Sequence, residues 1–221
     1  MIEIFAVKLL DQNDFLNKKT KFLNELPFSL SDKFKNYSHN KNLQRTIFGE
    51  LLSRHFIANK IKIESNKIEF NIGDKGKPFL ENSDIHFNVS HSGEWVVAAF
   101  SERNIGIDIE IIREPNYNVA KRFFSSVEIH QLNIISDADK KKNLFFDFWT
   151  VKESYLKAIG TGLTKPLNTF TVVKNADSIQ LVDNENDNLV FVKQYSFIDN
   201  YKLSVCAFEN EFDDKVNIIE F

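Results

Sequence analysis

One cysteine, four prolines and seven scattered glycines are all that this 221-residue chain has of the residues that staple or punctuate a fold. Cys206 has no partner for an internal disulfide, so stability must come from a packed core, which 43% hydrophobic residues are enough to build. It sits in the apolar run Lys202 to Phe208 and reads as a small buried hydrophobe rather than a nucleophile. No Cys/His cluster of zinc type is present. No Pro/Gly/Ser-rich linker or low-complexity tract divides the chain, and no apolar run reaches the length of a membrane span. The net charge of -3 lacks the cation excess of a general nucleic-acid binder. Met1 to Lys8 lacks the charged-then-apolar layout of a secretory signal and reads as a first strand. A soluble, cytoplasmic protein with no membrane or nucleic-acid partner is the expectation.

What is present is a repeated pattern. Arg45 to Ala58 carries apolar residues at 47, 48, 51, 52, 56 and 57, the spacing of a helix. Short β-like runs follow at 61–64, 67–70, 85–89 and 95–100, with His91 to Glu94 as the last turn. Leu144 to Ile159 reads as a second helix, stopped by Gly160-Thr-Gly162 with Pro166 just beyond. Strand-like runs at 170–173, 178–182 and 189–192 and a closing hairpin over 195–208 come next. The order helix then β-meander, met twice, predicts an α+β protein of two pseudo-symmetric subdomains, 1–104 and 105–221, with a ligand cleft between them.

The chemistry concentrates in Ile105-Gly-Ile-Asp-Ile-Glu-Ile-Ile112. On a strand rising ~3.3 Å per residue, Asp108 and Glu110 share one face with Cα atoms roughly 6.6 Å apart, while the isoleucines face a core. Two readings are open: an ordinary half-exposed strand, or two carboxylates whose repulsion is relieved by a hard divalent cation. On the second helix Glu153 and Lys157 lie four residues apart on one face, which fits either a surface ion pair or a third carboxylate with a phosphate-binding ammonium. Three carboxylates would leave octahedral positions of Mg²⁺ for water and phosphate oxygens. In Ser90-His91-Ser92-Gly93 a protonated imidazole, hydroxyls and backbone N–H groups offer donors to a phosphate. Gly73 to Pro78, with Lys75 and Lys77, reads alone as a solvated loop. Lys33, Lys35, Lys41 and Arg45 form a scattered basic stretch, either an exposed face or an anchor for an anion. His39, His55, His86 and His130 read as structural or solvated.

Five segments together carry a resemblance: Gly76-Lys-Pro78, Phe87-Asn-Val-Ser-His-Ser-Gly93, Ile105-Gly-Ile-Asp-Ile-Glu110, Lys121-Arg-Phe-Phe-Ser125 and Trp149-Thr-Val-Lys-Glu-Ser-Tyr-Leu-Lys157. In this order they resemble the 4′-phosphopantetheinyl transferases of the Sfp type over nearly the whole chain. The resemblance implies coenzyme A bound between two α/β halves. It also implies transfer of the phosphopantetheine arm to a serine of an apo acyl or peptidyl carrier protein, releasing adenosine 3′,5′-bisphosphate. It implies Mg²⁺ on Asp108, Glu110 and Glu153, phosphate contacts from His91 and Lys157 with Ser90 beside them, and Lys77 by the nucleotide. Arg45 and Thr46, with Lys33 upstream, would hold the 3′-phosphate. A serine hydroxyl needs a base, for which Glu153 is the candidate. The carrier would dock near Lys121, Arg122, Phe123 and Phe124, although Phe123 and Phe124 read equally well as core. The length suits the monomeric type. Two alternatives remain from the residues: a Mg²⁺-dependent phosphodiester hydrolase, and a coenzyme A or nucleotide-binding module without catalysis.

Overall fold

The computed structural model describes every residue except His39, Ala176, Asp177 and Asp187, and at Leu163 the backbone alone. The reading of His39 therefore lies outside the described residues. The elements follow in the order β1 (Glu3–Lys8), α1 (Gln12–Asn24), α2 (Phe28–Lys35), α3 (Lys41–Ile61), β2 (Asn71–Ile72), β3 (Pro78–Phe79), β4 (His86–Ser92) and β5 (Trp95–Ser101). Then come β6 (Ile105–Ile111), α4 (Tyr117–Phe123), α5 (Ser126–Ile134), α6 (Ala138–Ile159), β7 (Thr171–Lys174), β8 (Ile179–Val182), β9 (Phe191–Tyr195), β10 (Tyr201–Ala207) and β11 (Asn217–Ile219).

Both long helices have local reasons to start and stop. The Asn40 side chain accepts from the Leu43 N–H to open α3, and Asp137 accepts from Lys140 to open α6. Gly160 closes α6 at φ +71°, a conformation that costs glycine little. Lys62 takes the same left-handed turn after α3, so the chain from 61 to 70 forms a helix end and a 3₁₀ turn at Ser65–Lys67. The strands expected at 61–64 and 67–70 do not form; helical propagation and the Lys62 cap take their place, and pairing begins only at Asn71.

The two halves share one plan. Antiparallel β1, β5 and β4 lie in that order, and so do β6, β10 and β9. Each sheet thus has the order first–third–second rather than that of a simple meander: a strand, a long helix, then a hairpin whose second arm takes the centre. Alternation along the strands divides the core. Ile4, Ala6, Val97 and Ala99 of one sheet and Ile105, Ile107, Ile109, Leu203 and Val205 of the other form a shared apolar layer. Val96, Ala98 and Phe100 turn outward to α3, while Cys206 and Val192 join α6. Burying one such side chain contributes about 1.5–3 kcal/mol.

One departure concerns the end of the chain. β11 pairs parallel with β1, and Phe221 packs on Phe22, Phe48 and His55, so the last strand belongs to the sheet of the first half, not to a second half running through 221. Among the described residues no helix is long and apolar enough to cross a membrane.

Candidate active site

Strand β6 places the site because its two faces meet different neighbours. Its isoleucines enter the shared core, and its other face lies under α6. Gly106 makes that approach possible: a Cβ there would collide with the backbone of Ser154 and Ala158. Asp108 follows two residues later, 5% exposed, and Glu110 lies at the half-buried end of the strand.

The neighbouring strand of the first half is β4, and the seam is unusual. Backbone N–H groups of Ile107, Ile109 and Ile111 donate to side chains of β4: Asn88 Oδ1 at 3.0 Å, Ser90 Oγ at 3.4 Å and Ser92 Oγ at 3.1 Å. Residue numbers rise together on the two strands, so they run parallel, joined by side chains in place of a ladder. The hydroxyls donate onward, Ser90 to Asp108 Oδ1 at 2.9 Å and Ser92 to Glu110 Oε2 at 2.8 Å.

Helix α6 supplies the rest. The Lys157 ammonium uses its three donors on Asp108 Oδ1 (2.7 Å), Ser90 Oγ (3.0 Å) and the Ile107 carbonyl (3.0 Å). Glu153, one turn earlier, shares a cleft of about 270 Å³ with Lys157, Lys75, Lys77 and Gly160. Burial, then the charge of Asp108, raises the Glu153 carboxyl above its ordinary range, with Lys157 opposing and Glu110 adding to the effect. Burial likewise raises Glu110, against the Ser92 hydrogen bond. These carboxylates feel one another's charge. Among the described residues no group of three acidic, histidine or cysteine side chains is already drawn together around a metal position. The donor chemistry nevertheless fits a hard cation: all the donors are carboxylate oxygens, and Asp108 Oδ2 is buried with no hydrogen-bond partner.

Cations gather on the other side. Burial, then Arg45, lowers the His91 imidazole, with Lys157 acting in the same direction. Arg45 is held by the Gly93 carbonyl at 2.5 Å and Asn42 Oδ1 at 2.8 Å. Lys77 donates to the carbonyls of Ile105 (2.8 Å) and Lys157 (2.7 Å), so its loop is tied to β6 and to the last turn of α6. Burial and the charge of Lys157 push its ammonium down to about 8. The loop lysine that could pass for solvated is therefore partly buried.

The expected residues Asp108, Glu110, Glu153, Lys157, Ser90, His91, Arg45 and Lys77 converge here. Thr46 is exposed on α3, its hydroxyl bonded back to the Asn42 carbonyl. Lys33 is exposed on α2 with its ammonium 5.7 Å from the Phe34 ring centroid, and no described hydrogen bond or ion pair links it to the group. Of the expected docking residues, Phe124 is corrected: it is 2% exposed and packs on Phe145, Phe148 and Trp149, because the chain turns inward where α4 ends. Lys121 and Arg122 are exposed, and half-buried Phe123 lies under the Arg122 guanidinium.

Sequence reasoning gave no role to Lys152, and took Ser92 only as one of the hydroxyls that could donate to a phosphate. Lys152 is wholly buried, paired with Glu128 at 2.8 Å and donating to the carbonyls of Leu167 and Phe170. Glu128 in turn accepts from the N–H groups of Ser125 and Val172. This motif lysine thus holds α5, α6 and the entry to β7 together, facing away from the cleft. A lysine amid Trp149, Val151 and Tyr155 was the available signal, but its acid partner lies 24 positions upstream.

Comparison with known proteins assigns this arrangement. Residues 104–206 match the family model described as the 4′-phosphopantetheinyl transferase superfamily, and residues 18–103 match 4′-phosphopantetheinyl transferase, N-terminal. The chain is 34% identical over 194 residues to 4′-phosphopantetheinyl transferase Sfp of Bacillus subtilis (strain 168), covering 86% of this chain and 85% of that protein. It is 37% identical over 174 residues to 4′-phosphopantetheinyl transferase gsp of Aneurinibacillus migulanus, covering 79% and 73%. The solved holo-[acyl-carrier-protein] synthase of Thermotoga maritima aligns with a TM-score of 0.41 and 17% identity over 47% of this chain and 61% of its own. Both halves are matched, their junction falls at the start of β6, and the chain belongs to the 4′-phosphopantetheinyl transferase superfamily as a transferase of the Sfp type.

Proposed function

We propose that the cleft between β4, β6 and α6 binds coenzyme A and a Mg²⁺ ion and passes the phosphopantetheine arm to a serine of an apo carrier protein, releasing adenosine 3′,5′-bisphosphate. The observation that carries this reading is the meeting of Glu153 and Lys157 of one half with Ser90 and His91 of the other around Asp108. Asp108, Glu110 and Glu153 would hold the ion, which when bound supplies positive charge to the pyrophosphate. Lys157 holds the phosphates and favours the charge that builds up on them, and the His91 imidazole offers them an N–H donor. Arg45 and Lys77 grip the nucleotide end, with Thr46 and Lys33 at its margin.

Glu153 accepts the proton of the attacking serine hydroxyl on its carboxylate. The seryl oxygen then forms a bond to the β-phosphorus as the bond to the departing bisphosphate breaks. Aligned phosphates contribute by position as much as by charge. The acidic carrier meets Lys121, Arg122 and half-buried Phe123, with the protein acting as a cytoplasmic monomer.

The test is to incubate the protein with coenzyme A, Mg²⁺ and an apo carrier, then weigh the carrier. A gain of one phosphopantetheine arm that EDTA abolishes supports the reading. No gain over several carrier types, with coenzyme A still bound, overturns it in favour of a binding module.

A further inference from the structure

The seam between β4 and β6 does more than join two sheets. Ser90 and Ser92 each accept an N–H from β6 and donate to the carboxylate one residue before it, Asp108 and Glu110 respectively. Asn88, in the same register, accepts from Ile107 and makes no bond to either carboxylate. Each serine hydroxyl is thereby fixed twice, and its single proton has one direction left to point. Ser90 is also shared with Lys157. Ser92 has no such second claim among the described residues, and Glu110 sits at the more open end of the strand.

We propose that Ser92 is a positioning residue for Glu110: its hydroxyl, anchored on the Ile111 N–H, sets the carboxylate in the orientation from which it holds the metal. This inference rests on the metal reading given above. The physical reason is rotamer freedom. A glutamate with three side-chain torsions loses substantial entropy when it binds an ion, and a hydrogen bond that fixes it beforehand lowers that cost. The register also carries a consequence for assembly. The clip comes from the first half and the carboxylate from the second, so the site reaches its full affinity only when the seam is closed.

The experiment titrates Mn²⁺ by electron paramagnetic resonance, with coenzyme A present and no carrier, so that nothing turns over. Ser92→Ala is expected to weaken Mn²⁺ by about tenfold. Ser92→Thr, which keeps the hydroxyl, restores binding. Asn88→Ala, which removes one bond at the far end of the seam and leaves the Ser92 clip closed, lowers the melting temperature but leaves Mn²⁺ affinity within about twofold. Unchanged affinity in Ser92→Ala, or an equal loss in Asn88→Ala, overturns the positioning role while leaving the metal reading in place. Absence of Mn²⁺ binding by the unaltered protein overturns the metal reading and the inference with it. Should Ser92→Ala fail to fold, the Thr variant and the Asn88 variant decide: weak binding in Thr or in Asn88→Ala sinks the proposal.

Discussion

Glu153 and Lys157 stand one turn apart on α6, yet their surroundings ask different things of them. Lys157 is locked by three acceptors, while Glu153 faces the cleft with a carboxyl that burial and Asp108 hold above its ordinary range. Glu153→Gln keeps the shape and removes the base. Turnover is expected to fall by about 10²- to 10⁴-fold while coenzyme A affinity changes far less, as steady-state kinetics and calorimetry would measure. Near wild-type kcat at saturating Mg²⁺ would remove Glu153 from the role of base. Lys77 gives a pH signature. Its ammonium titrates at about 8 in the folded protein against an ordinary 10.5. Below pH 8 both folded and unfolded chains hold the proton. Between 8 and 10.5 only the unfolded chain does, so the contribution of this group to stability rises with pH through that window. Urea midpoints at pH 7.5 and 10 should show a relative gain for the wild type that Lys77→Met lacks; an equal gain in both would place the low titration elsewhere.

At the scale of the element, α6 serves two purposes with opposite faces. One face turns Glu153 and Lys157 to the cleft, and the other buries Lys152 against Glu128. A buried pair is costly to break because the survivor is left charged without a partner. Lys152→Met is therefore expected to cost about 3–5 kcal/mol in chemical denaturation. The double variant Lys152→Met/Glu128→Leu should recover only part, since Glu128 also satisfies the N–H groups of Ser125 and Val172. Gly106 decides how closely α6 lies on β6. Gly106→Ala puts a methyl group into the helix backbone and should destabilise by about 1–3 kcal/mol or more. A melting temperature within a degree of wild type would show that the two elements can separate freely.

On the scale of the whole molecule, the halves are not independent. β11 returns from the second half to pair with β1, and the Phe221 ring packs into the aromatic group of the first. One cooperative unfolding transition is expected, and Phe221→Ala, which truncates a half-buried ring, should lower stability by about 1–1.5 kcal/mol. Two resolved calorimetric transitions would contradict that coupling. The sequence made the repeated plan legible because strong local signals recur: helical spacing through α3 and α6, the Gly160 stop, and small-residue hairpin strands. It misled where local pattern and long-range pairing disagree. Residues 61 to 70 alternate like strands, yet among the described residues none of them pairs with a neighbouring strand.

Asp108, Glu110, Glu153 and His91 could be singled out in the chain itself, because charges in an apolar strand, an acid and a lysine four apart on a helix, and a histidine at a turn are local facts. Which of their neighbours matter was decided only by the tertiary structure. The spacing to Glu153 marks Lys157 in the chain itself, but only packing sends Lys152 of the same motif to a buried acid and Lys157 to Asp108. Ser92 reads in the chain as one more hydroxyl for a phosphate, but β4 lying parallel to β6 gives it an amide on one side and a carboxylate on the other. Sequence sets the chemistry each side chain can perform. Long-range packing, which brings together residues many positions apart, determines which of that chemistry is used.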